Sequence, residues 1–174
     1  MQRDTIFISY SRHDETACED LVRHLRVILD EDSPLLVFSD MRIETSEKWK
    51  LKIESEMGRA LVSVFLVSSR FLTSKFVGSV EIPIAVIADH QGLAKIACLY
   101  LAPVGEFKRK VKTPDGELIT FRLSDYQGIN DPKRALSGLD DHEREELLAR
   151  SAAEIVRLAK SHRDALVEAE QQRQ

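Results

Sequence analysis

A chain of 174 residues, 43% apolar and 31% charged, has the composition of one globular domain with a core of its own. Its formal net charge of −4 argues against a nucleic-acid partner, and no apolar run approaches the ~20 residues that span a bilayer, so no membrane partner is expected either. Cys18 and Cys98 form no CxxC pair and "MQRDTIFISYS" is too short in apolar length for a signal peptide, so a reducing, cytoplasmic setting is expected.

"TIFIS" (5–9) reads as a short buried strand, and Asp14 as the N-cap of the helix that follows. That helix carries Ala17, Leu21, Leu25 and Ile28 at helical spacing. "LLVFSD" (35–40) is a second strand, "MRIETSEKW" a loop, and Trp49, Ile53 and Met57 mark the face of a second helix. "LVSVFLVSS" (61–69) has the unbroken apolarity of a strand covered on both faces. "SVEIPIAVIADH" is a third helix with Pro83 near its start, and "KIACLYLAP" (95–103) a fourth strand, with Cys98 in the core. Alternating strands and helices imply an α/β fold with a parallel sheet. "EFKRKVKTPDGELITFRLSDY" then reads as two strands around a "PDG" turn, with Lys108, Lys110 and Lys112 on an exposed edge. The last segment is a long helix with Leu147, Ile155, Leu158 and Ala159 on its apolar face.

Several chemistries lack their motifs. There is no GxGxxG, no GxxxxGK[ST] and no GxSxG. The five histidines (13, 24, 90, 142 and 162) have no metal spacing and read as surface residues; no metal site is expected. In parallel α/β sheets, ligands bind beyond the carboxyl ends of the strands. Here those ends offer Tyr10, Ser11 and Arg12, then Asp40 and the loop to Trp49, then Ser68, Ser69 and Glu81. Glu81 is the one carboxylate in the apolar run "FVGSVEIPIAV". Two readings stay open: it satisfies free N–H groups at a helix start, or it serves chemistry.

"DTIFISYSRHDE", "FSDMRIETSEKWKLKIESEM" and "VFLVSSRFLTSKFVGSVEIPIA", in that order, resemble the Toll/interleukin-1 receptor (TIR) domain family, most closely its bacterial members. The resemblance covers roughly residues 4 to 130, and "SDYQGINDPKRALSGL" is similar to the end of such modules. It implies a flavodoxin-like fold: a central parallel sheet of order 2-1-3-4-5, helices on both faces, a β-hairpin excursion and a C-terminal helix. The implied division is a TIR domain over 1–130 and a helical extension over 131–174, packed on that domain or leading out of it. Many members cleave NAD⁺ at the nicotinamide–ribose bond with a glutamate after the third strand, a position Glu81 matches. NAD⁺ is then substrate, not cofactor. Tyr10, Ser11, Arg12, Asp40, Trp49, Phe76 and Val77 fall at positions lining the family's nucleotide pocket, and Met41, Ile43 and Ser46 lie in an assembly loop. The chain departs from the family at Val77, where several NAD⁺-cleaving members have tryptophan, and at Ser46, where the pattern has glycine. The resemblance thus implies an NAD⁺ glycohydrolase or cyclase of bacterial antiviral defence, switched on by self-assembly. Its alternative is a non-catalytic module acting by homotypic TIR–TIR contact. A sensor domain beyond the C-terminal helix is an expected partner. A phosphoacceptor receiver fits poorly, because "SYSRHD" and "LVSS" lack the acids such a site needs.

Overall fold

The computed structural model describes residues 3–39, 47–126 and 128–172. Strands β1 (Thr5–Ser9), β2 (Leu36–Phe38), β3 (Ala60–Val67) and β4 (Lys95–Tyr100) form one sheet in the order β2-β1-β3-β4, with every pair parallel. Helices α1 (Glu15–Ile28), α2 (Glu47–Gly58), α3 (Ser69–Thr73), α4 (Ile82–His90) and α5 (Asp141–Gln171) surround it. The expected α/β architecture, with helices on both faces and a C-terminal helix, is the one observed. All eight residues of β3 are buried, because β1 and β4 flank it and helices cover both its faces.

The sheet separates two cores. On one side Ile6, Ile8 and Val64 meet Leu21 and Leu25 of α1 and Leu148, Ala152 and Ile155 of α5. On the other side Phe7, Phe65 and Val67 meet Ile53 and Met57 of α2 and Ile82 and Val86 of α4. The buried stripe of α1 is Cys18, Leu21, Val22 and Leu25. It is turned slightly from the expected one: Ala17 is half-buried and Ile28, the last helical residue, is exposed. β2 is shorter than the 35–40 run, as suits an edge strand with Leu36 in solvent. Five histidines read as surface residues, yet His162 is 8% exposed because α5 packs against the sheet along most of its length.

β5 (Lys108–Lys112) and β6 (Leu118–Arg122) form the expected hairpin, a separate antiparallel pair. Gly116 turns it with φ +96°, a conformation that favours glycine. Lys108, Lys110 and Lys112 face solvent, while Val111 and Phe121 are buried against the body. Phe121 packs edge-on to Phe65 of β3, which fixes the hairpin over the second core.

The fifth place in the sheet is held in an unexpected way. Gly128 makes a single parallel bridge with Cys98, and Ile129 N–H donates to the Cys98 carbonyl at 2.8 Å. A Cβ on Gly128 would meet the Asn130 carbonyl oxygen at 2.5 Å and the Tyr100 ring of β4 at 2.9 Å, so the turn's own backbone and that ring leave no room for a side chain there. One residue further, the Asn130 side chain replaces a strand. Its Oδ1 accepts from Tyr100 N–H at 2.8 Å and its Nδ2 donates to the Tyr100 carbonyl at 3.0 Å. A side-chain amide carries the same donor and acceptor as a peptide, so it satisfies both outward groups of the last β4 residue.

This arrangement makes Asn130 more costly to lose than a helix cap. Asn130→Ala leaves two buried backbone groups of Tyr100 unpaired and should destabilise the fold by about 3 kcal/mol in urea unfolding. Asp140→Ala removes the capping-box contact to Glu143 N–H at the start of α5 and should cost about 1 kcal/mol. Equal costs would show that water replaces the Asn130 amide.

Candidate functional site

Helical backbone runs from residue 75 to His90 and contains Pro83 well inside it. Proline lacks an N–H, and its ring crowds the carbonyl four residues back. The chain widens to accommodate it. Val77–Glu81 form a π turn in which Ile82 N–H donates to the Val77 carbonyl, five residues back. Such widened turns recur at functional sites. Pro83 keeps its expected place in the first turn of α4, but the π turn adds helical backbone ahead of it, so the helix-start role of Glu81 is corrected. Ser74 serves the first turn instead: its carbonyl accepts from Gly78 N–H at 3.0 Å and its Oγ from Val77 N–H at 3.4 Å. The Glu81 side chain makes no capping bond.

Glu81 points inward to the carboxyl end of β1. Ser9 Oγ–H donates to Glu81 Oε2 at 2.9 Å. Both residues have zero exposure, and Glu81 Oε1 has no hydrogen-bond partner among the described residues. Burial pushes the Glu81 carboxyl up to about 7, and the Ser9 hydroxyl, which favours the charged form, pulls the other way. The result is a carboxyl that changes charge near neutrality, with one oxygen uncommitted. Buried polar groups are rarely left so, and the exceptions cluster where chemistry or ligands use them.

Two further ties hold this edge of the sheet. Tyr10 Oη–H donates to the Ser39 carbonyl at 3.0 Å, joining the ends of β1 and β2. Ser68 Oγ–H donates to Asp14 Oδ2 at 2.6 Å, joining the turns after β1 and β3. Ser68 also caps α3 by accepting from Phe71 N–H. Asp14 stands at the N-cap position of α1, but its side chain makes no capping bond there. Its commitment to Ser68 explains the departure from expectation.

The other expected site residues take the following places. Tyr10 is buried, and Ser11 caps the short turn after β1 by accepting from His13 N–H at 3.4 Å. Arg12 is exposed in that turn. Val77 is fully buried one turn before Glu81, and Phe76 and Trp49 are half-buried against the second core. The Lys52 ammonium stands 5.3 Å from the centroid of the Trp49 ring, within cation–π range. Asp40, Met41, Ile43 and Ser46 lie outside the described residues. Sequence reasoning missed Ser9, the partner of Glu81; its only signal was a lone hydroxyl in an apolar strand. Cys18, beside the Tyr10 and Ser39 hydroxyls, and Cys98 are buried, and burial pushes both thiols up to about 12. Neither is a ready nucleophile.

The raised Glu81 carboxyl links folding to pH. Below about 4.5 it is protonated whether folded or unfolded. Between 4.5 and about 7 the folded state holds the proton that the unfolded state releases, so its contribution to stability falls as pH rises. Urea unfolding of the native chain and of Glu81→Gln at matched pH isolates this group. Between pH 5 and pH 8 the native chain should lose, relative to the variant, on the order of 3 kcal/mol. A pH-independent difference would show an unshifted carboxyl.

The family model described as TIR domain matches residues 6–138. No curated protein and no solved structure matches the chain. The match begins in β1, takes in the whole sheet, the π turn with Glu81 and the hairpin, and ends before α5. With more than half of the chain so matched, and with a parallel sheet that keeps the expected order 2-1-3-4 among the described residues and has a single bridge in place of the fifth strand, the chain belongs to the TIR domain family.

Proposed function

We propose that this TIR domain cleaves the nicotinamide–ribose bond of NAD⁺, with Glu81 as the acting carboxylate. The observation that carries the reading is the buried Glu81 carboxyl, held by Ser9 on one oxygen and uncommitted on the other. Nicotinamide leaves as a neutral amine, so the reaction needs little acid help. The charge that develops is an oxocarbenium-like cation on the ribose. A fixed carboxylate in a desolvated setting stabilises that cation far better than water-exposed acid does. The substrate supplies part of the activation. NAD⁺ carries a positive nicotinamide ring, and a cation beside Glu81 favours the ionised form of a carboxyl that burial keeps half-protonated. Ser9 holds the carboxyl in place and leaves the second oxygen for the ribose.

Full burial of Glu81 implies that the segments over it move when substrate enters. Homotypic assembly, the usual trigger in the resemblance, is a source of that movement, and a defence role against phage would follow. The competing reading, a TIR module that signals by assembly without chemistry, treats Glu81 as a packing residue.

The deciding experiment is to incubate concentrated or artificially clustered protein with NAD⁺ and measure nicotinamide by chromatography. Release is expected, with specific activity rising over a hundredfold range of protein concentration. Silence in a preparation whose clustering is confirmed by light scattering favours the non-catalytic reading. Glu81→Gln should lower turnover on the order of 10²-fold or more while remaining folded. In the native chain kcat/KM, which reports the free enzyme, should rise with pH through about 7 as Glu81 ionises. A flat profile across that range would assign the reacting charge to another group.

A further inference from the structure

The hairpin carries five cations, Lys108, Arg109, Lys110, Lys112 and Arg122, on a chain whose net charge is negative. Four of them share one face: Lys108 stands opposite Arg122, and Lys110 and Lys112 follow at alternate positions on the same strand. Arg109 falls on the other face, beside Val111 and opposite Phe121, both of which are buried against the body. Its guanidinium comes to rest on Gly78, in the π turn three residues ahead of Glu81. A Cβ on Gly78 would lie 1.8 Å from Arg109 Nη1 and 3.0 Å from Nη2. The glycine therefore gives the guanidinium its place, since even alanine would displace it. No carboxylate among the described residues pairs with Arg109: the ion pairs of the hairpin and its turn run from His90 to Glu117, and the Asp115 carboxylate is taken by Thr113. Glu81 is directed at Ser9 of β1 and shielded from solvent. A positive fork is thus held against the turn that carries the acid, with its charge unspent.

We infer that Arg109, seated on Gly78, is the anion-binding residue of this site and takes the diphosphate bridge of a dinucleotide. The inference rests on the NAD⁺-cleaving reading and names how that substrate is held. The chemistry of the ligand calls for a cation set apart from the acid. In a nicotinamide dinucleotide the first phosphate lies a ribose ring and a methylene away from the carbon that is cleaved. A cation for the diphosphate therefore belongs on a neighbouring element, beyond the carboxylate that faces the ribose. A guanidinium presents paired donors that match two phosphate oxygens, which a lysine ammonium does not. Arg109 is a binding residue here, and its loss falls on KM before kcat.

Calorimetric titration of the full chain with inorganic pyrophosphate, ADP-ribose and nicotinamide riboside tests this directly. Arg109→Gln should weaken pyrophosphate and ADP-ribose about tenfold or more and leave the riboside, which has no phosphate, unchanged. Arg109→Lys should recover only part of the loss. Gly78→Ala, which keeps the arginine but fills its seat, should weaken the same two ligands. Thermal unfolding of each variant at the native temperature shows that the seat, not the fold, is lost. Equal affinities of the native chain and Arg109→Gln for both phosphate ligands overturn the inference, as does a native chain that binds neither. The two readings separate cleanly. NAD⁺ cleavage with an unchanged KM in Arg109→Gln removes the anion seat and keeps the chemistry. Arginine-dependent pyrophosphate binding without any nicotinamide release keeps the seat and removes the chemistry.

Discussion

The hydrogen bond from Ser9 to Glu81 joins the end of the central strand to the helix that follows its neighbour, and it does so where water has no access. A buried carboxyl with one neutral donor is under-satisfied in either charge state. The surroundings bear that cost together. Val77, Val80 and Ile82 are buried along with it, its side chain reaches Ser9 of β1 from the widened turn, and Val77 and Ile82 tie that turn into the second core. Relaxing any one of these would let Glu81 swing to solvent, where it would titrate as an ordinary acid. The tension is a local property of the fold, and it marks this end of the sheet, rather than another, as the candidate site.

Most of the frame was legible because it depends on periodicity. The unbroken apolar run of β3, the alternation around the "PDG" turn and the Trp49–Ile53–Met57 spacing each name an element without tertiary help. What escaped depends on partners distant in the chain. Asp14 has the right residue type and position for a cap, yet Ser68 claims it from 54 residues away. Pro83 normally marks a helix start, and only the wide turn ahead of it lets the helix begin a turn and more earlier. The site divides the same way. Glu81 stood out because an acid in an apolar run is rare. Ser9 and Gly78 did not, since a serine in a strand or a glycine in a helix acquires meaning only from what lies across from it.

The hairpin illustrates the same limit in a different form. Alternating cations read naturally as a solvated edge, and for the lysines of β5 that holds. The pleat that turns them to one side sends Arg109 to the other, where the residue stays exposed while its guanidinium lies against Gly78. Aromatic contacts of Phe121 with Phe65, Phe107 and Tyr126 anchor the strand pair to the body. They fix the strand from which Arg109 reaches Gly78.

The Asn130 amide has a consequence for how copies of this sheet can meet. A strand edge invites pairing wherever outward N–H and C=O groups lie open. At β4 the bridge to Gly128 and the two bonds to Tyr100 close those groups from within the chain. At β2 the three described strand residues have a neighbour on one side alone, β1. At Cys98 and Tyr100, then, β4 is closed to a strand from another molecule. A single asparagine thereby does for the end of this strand what a fifth strand would do, and a second copy finds no backbone groups to pair with there.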